Sequence, residues 1–180
     1  MPNRVKQLLT IVSSRFVPDP YAYELRPALK SQDFDFYFTT TANVTYVLNF
    51  TDEGLRFGAG HFDCRHYTVD LLVSGAYNPP DKTPPDPRIA DTVRAILVRF
   101  FEISKNVLIT VCDHSDSREA ARFRHFRRWF NDSRIDYVER HEFVVNDEDG
   151  YSLLSAVYLH INLPHKAKIL NRYRQIFTEE

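Results

Sequence analysis

Glycine, cysteine and net charge are all scarce in this chain, and each scarcity narrows what it can be. Only five glycines occur among 180 residues, of which 43% are hydrophobic and 14% aromatic. That balance supplies a dense core and argues against a disordered chain. The two cysteines, Cys64 and Cys112, form no Cys-x-x-Cys pair. A disulfide framework is not expected; two reduced thiols in a cytosolic protein are. Long apolar runs are missing too: Leu8-Leu9-Thr10-Ile11-Val12, beside Arg4 and Lys6, is too short for a signal peptide or a membrane span. The chain therefore reads as soluble and cytoplasmic, with no membrane partner.

The formal charge of −1 says little about partners, but it hides a local imbalance. Of 23 basic residues 17 are arginine, and five of these fall between Arg118 and Arg128. A chain of this length makes one ordinary domain that buries roughly 70% of its unfolded surface.

Val5, Leu8, Leu9 and Val12 recur at helical spacing and predict a short amphipathic helix over Asn3 to Ser14. Pro18, Pro20 and Pro27 predict an irregular stretch from Val17 to Lys30, so residues 1–30 read as a lead-in and 31–180 as the domain. Phe34, Phe36 and Phe38, then Val44, Tyr46, Leu48 and Phe50, alternate about Thr41-Ala42-Asn43 and predict a β-hairpin with one aromatic face. A further strand is expected within His61 to Val73, where Asp70 and Arg65 point to a wet face. The prolines of residues 77–87 predict a stiff surface crossing rather than an SH3-type ligand.

Asp86 as N-cap and Pro87 at the first position open a core helix that carries Ile89, Val93, Ile96, Leu97, Phe100 and Phe101 and ends at Lys105-Asn106. A strand over Val107 to Cys112, a helix from Arg118 to about Phe130, and a hairpin of Ile135 to Val145 with Tyr151 to Ile161 follow. Asp149-Gly150 supplies the turn, and the acidic loop lacks calcium-ligand spacing. Pro164 opens a last helix with Leu170, Tyr173, Ile176 and Phe177 inward and Lys166, Lys168, Arg172 and Arg174 outward. The fold expected is α+β: a single domain with a mainly antiparallel sheet of two hairpins and further strands, packed with three to four helices.

Chemistry concentrates where the strand ending at Cys112 meets the arginine helix, because strand-to-helix junctions gather free backbone N–H groups. At 100° per residue Phe123, Phe126 and Phe130 share the inner face, while Arg118, Arg122, His125 and Trp129 form a neighbouring stripe. Arg124, Arg127 and Arg128 fall on solvated surface. Asp116 and Glu119 match a capping box, and Asp113 is placed to pair with Arg118 or Arg122. The bland alternative is a salt-bridge cluster that locks strand to helix.

Cys112 and Arg118 have five residues between them, spanning strand to helix, the spacing of cysteine-dependent phosphatases. The intervening loop has no glycine, and Asp113 and Asp116 would repel a phosphate dianion, so a phosphate-directed enzyme using Cys112 or these aspartates ranks low. RNA or nucleotide binding suits guanidiniums beside an indole, although the chain as a whole is not basic. A metal centre of Asp113, His114 and Asp116 is disfavoured, as is one within His61 to His66. On a strand, Cys64 and His66 share one face and His61 and Asp63 the other.

The run Cys112-Asp113-x-x-Asp116-x-Arg118-x-x-x-Arg122, continuing to Phe126 and Trp129-Phe130, resembles the signature of an uncharacterised family of small bacterial proteins known only as a domain of unknown function. The resemblance runs from the hairpin near Asp33 through the last helix, and it implies no activity, cofactor or partner. Orphan families of this size often belong to toxin–antitoxin, immunity or phage-defence pairs, which is an association and not a mechanism. The expectation is a non-enzymatic module without a cofactor. It recognises a partner protein or an anionic ligand through Arg118, Arg122, His125 and Trp129, with Asp113 and Asp116 orienting the arginines.

Overall fold

Alternating aromatics and β-branched residues build one seven-stranded sheet in the order β1-β2-β3-β4-β5-β7-β6. The computed structural model describes residues 19–27, 33–57, 62–74, 86–112, 119–133, 135–146 and 152–178. Its strands are β1 (Tyr23–Pro27), β2 (Phe34–Thr39), β3 (Thr45–Asp52), β4 (Arg65–Val73), β5 (Asn106–Cys112), β6 (Val138–Asn146) and β7 (Ser152–His160). Its helices are α1 (Gly54–Phe57), α2 (Pro87–Phe101), α3 (Glu119–Ser133) and α4 (Lys166–Thr178). Only β4 and β5 pair in parallel among these strands. The α+β class and the mainly antiparallel sheet agree with the sequence. The proposed helix over Asn3 to Ser14, most of the proline crossing and the Asp149-Gly150 turn lie outside the described residues.

Each face of the sheet carries its own core, as period-two alternation requires. Phe36, Phe38, Leu48, Phe50, Tyr67 and Leu108 face α2 and α3, joined by Val93, Ile96 and Phe100 of α2 and Phe123 of α3. The Phe50 and Phe100 rings stack at 4.7 Å between centroids. On the opposite face Val107, Ile109, Val157 and Leu159 pack on Ile169, Tyr173 and Ile176 of α4 and on Phe57 of α1.

The start of α2 follows the sequence closely: the Asp86 side chain accepts from the backbone N–H of Arg88, and Pro87 needs no partner there. The helix stops at Phe101 with Glu102 as C-cap, earlier than Lys105-Asn106. The last helix starts at Lys166, two residues after Pro164, because His165 adopts a positive φ of 62° and its carbonyl accepts from the Lys168 and Ile169 N–H groups. Ile169 sits deeper than the expected Leu170.

The stretch expected to be irregular contains a strand. Tyr23–Pro27 pairs antiparallel with β2, from Tyr23↔Phe38 to Pro27↔Phe34. An edge strand tolerates a terminal proline, since the missing N–H breaks no ladder on its outer side. Residues just before it tie down α2: the Tyr21 N–H donates to Thr92 Oγ1 at 2.8 Å and the Tyr21 hydroxyl to Asp86 Oδ2 at 2.7 Å.

Candidate functional site

Helix α3 presents two kinds of side chain because its apolar residues recur every three to four positions. Phe123 is buried, and Phe126, Trp129 and Phe130 are partly buried against the same core. The Phe130 ring meets Tyr158 of β7 at 4.8 Å. Arg124, His125, Arg127 and Arg128 are exposed on the outer surface. Arg127 Nε lies 3.5 Å from Glu142 Oε1 and Arg128 Nε lies 3.6 Å from Asp132 Oδ2, with the two arginine side chains 58% and 80% exposed. At that exposure such pairs contribute little and leave the guanidiniums available to a partner.

Of the six residues singled out from the sequence, Arg118, Asp113 and Asp116 lie outside the described residues. Arg122 is half-buried and His125 exposed. Trp129 packs edge-on to Phe126 at 5.5 Å and meets the His125 ring at 5.9 Å. The indole is thus part core and part surface, rather than an open platform. Cys112 closes β5 with 2% of its surface exposed.

Sequence reasoning missed the charged group beneath this helix. Arg140 of β6 points inward among apolar neighbours, its side chain 9% exposed. Its Nη1 pairs with Glu142, its Nε donates to the Tyr158 hydroxyl at 3.2 Å, and its guanidinium lies 4.9 Å from the Phe123 ring centroid. Burial pushes the Tyr158 hydroxyl up from its ordinary value, and Arg140 beside it opposes that rise. Among the described residues, Nη2 of Arg140 and Oε2 of Glu119 are buried without a hydrogen-bond partner. The alternation Val138-x-Arg140-x-Glu142-x-Val144 carried the signal, because strand parity puts both charges on the face of Val138.

Across the sheet, Cys64 Sγ lies 3.2 Å from His66 Nε2, and His66 Nδ1 lies 2.6 Å from the Tyr173 hydroxyl of α4. The shared face of Cys64 and His66 agrees with their spacing. His61 lies outside the described residues, and Asp63 pairs with Lys105 at 2.5 Å. No group of three or more metal-ligating side chains occurs among the described residues. No helix described is long and apolar enough to cross a membrane. A shallow cleft of 710 Å³ opens elsewhere, at the β1–β2 border beside Tyr21, Tyr23, Arg26 and Tyr37. Arg26 there pairs with Glu24 and lies over the Tyr37 ring.

No curated protein and no solved structure matches this chain. One family model does, over residues 85–175, from the start of α2 into α4 and therefore short of the hairpin near Asp33 where the resemblance was expected to begin. That segment is half of the sequence and contains the whole of α3. The chain belongs to the family described as Family of unknown function (DUF6169).

Proposed function

We propose that α3 is a non-enzymatic docking face for an acidic partner protein. The observation that carries this reading is the outer surface of the helix, where Arg124, His125, Arg127 and Arg128 stand exposed while the phenylalanines hold the helix to the sheet. Guanidiniums pair with carboxylates through two parallel hydrogen bonds, which suits a cluster of exposed arginines to an acidic surface. Arg122, half-buried beside this surface, would border the contact, with Arg118 preceding it in sequence. In a toxin–antitoxin, immunity or phage-defence pair, the acidic surface would be that of the cognate protein.

Two other readings rank below this one. Base stacking by an RNA or nucleotide needs an open aromatic face, and Trp129 is packed against Phe126. Phosphate chemistry at Cys112 needs an accessible thiol, and Cys112 is buried.

Retention on a heparin column tests the docking face. The double variant Arg124→Glu/Arg128→Glu should elute at markedly lower salt than the parent, with thermal stability nearly unchanged because exposed substitutions stay within about 0.5 kcal/mol. Equal elution of the two proteins would overturn the proposal.

A further inference from the structure

We propose that Cys64, His66 and Tyr173 act as nucleophile, base and positioning residue in transferring an acyl group from an activated ester to water. This site lies on the sheet face opposite α3 and goes beyond the docking role proposed for that helix. The half-buried Cys64 thiol meets one ring nitrogen of His66 at 3.2 Å, and the other meets the Tyr173 hydroxyl at 2.6 Å. A nucleophile within hydrogen-bond reach of a base, itself aimed by a third group, is the arrangement that activates a weak nucleophile. The parts come from distant elements, 107 residues apart for His66 and Tyr173. Phe57 of α1 packs on the Tyr173 ring at 4.5 Å and holds the imidazole from a third side at 6.0 Å.

Charge sets the mode of activation. Burial pushes the Cys64 thiol up to about 11, with Asp63 adding to the rise. Burial brings the His66 imidazole down to about 4 against the opposing pull of Asp52. Tyr173 is raised well above its ordinary value by burial, then by Cys64 and Glu53. All three groups are therefore neutral at pH 7. An ion pair of thiolate and imidazolium is absent at rest, so the proton must move as the new bond forms. Serine nucleophiles, far less acidic than their histidine partners, are activated in the same way.

The step balances without an added oxidant or reductant. With Nδ1–H donated to the Tyr173 oxygen, Nε2 takes the thiol proton while sulfur bonds to the ester carbonyl carbon. The carbon–oxygen bond to the leaving group breaks, and the departing alkoxide or phenolate recovers the proton from Nε2. The Cys64 thioester is then cleaved by water, which releases a carboxylic acid and restores the thiol.

The full chain treated with 4-nitrophenyl acetate tests this directly. The expected result is a burst of 4-nitrophenolate with acetyl mapped to Cys64, none on Cys112, and no burst from Cys64→Ala. The burst rate should be flat through neutral pH and fall as His66 is protonated near about 4. Tyr173→Phe, which keeps the ring in the core, should slow it about tenfold while the pH inflection moves, since a base loses effect when misaligned. Acetyl placed elsewhere, a rate that climbs tenfold per pH unit as a free thiolate would, or an unchanged Tyr173→Phe would each overturn the proposal. Mapping on the parent protein does not depend on whether a variant folds.

Discussion

Phe123 of α3 covers the guanidinium of Arg140, their ring centroid and central carbon 4.9 Å apart. The helix thereby covers a charged side chain that is only 9% exposed. Phe123→Ala should cost about 3 to 5 kcal/mol, the usual range for deleting a buried phenylalanine, with part of that loss coming from the exposure of Arg140. Urea denaturation measures it, and a loss under about 1 kcal/mol would show that α3 is not anchored there.

The two ends of the Arg140–Glu142 pair should respond unequally. Glu142 is 36% exposed and also has Arg127 at 3.5 Å, so after Arg140→Met it can turn to water. Arg140 has no such exit, and Glu142→Gln leaves a buried cation with the Tyr158 hydroxyl and the Phe123 ring but no anion beside it. The second variant should therefore be the less stable by about 1 to 2 kcal/mol. A reversed order in urea denaturation would contradict this burial of the charge.

Stability should form a plateau with an acid and an alkaline limb. An unfolded chain takes up the His66 proton at about its ordinary 6.5, whereas the fold resists it down to about 4. Stability is thus complete above 6.5 and drains as pH falls between those values, by roughly 3 kcal/mol in all. The Cys64 thiol, raised from 9.0 to about 11, makes stability fall again as pH rises through that interval. Glu139, held below its ordinary 4.5 first by its hydrogen bond to Lys166, adds a loss that begins as pH falls below 4.5. Urea midpoints at stepped pH should show the limb between 6.5 and 4 in the parent and not in His66→Gln. An identical limb in both would remove His66 as its cause.

How much could be read in advance varied with the range of the interaction involved. The aromatic hairpin and the start of α2 were legible because Phe34, Phe36 and Phe38, or Asp86 followed by Pro87, act on immediate neighbours. The contact of His66 with Tyr173 was not, since nothing in either vicinity names a partner 107 residues away. β1 escaped notice because prolines flank Tyr23 to Arg26, and a proline weighs against a strand unless that strand is known to lie at an edge. On α3 the inward phenylalanines were legible from spacing. The outward cations Arg124, Arg127 and Arg128 were legible as surface, but not as the more exposed group beside Arg122 and Trp129.

The proline that closes β1 also governs what can be added to the protein. Among the described strands the sheet has two borders, one five residues long ending in Pro27 and the other nine residues long along β6. Pro27 withholds a donor, and the neighbouring Glu24–Arg26 pair keeps that short border charged. Accretion of a foreign strand is thereby steered to β6, where Val144 is 63% exposed. Any misassembly of this protein under stress should grow from that one side.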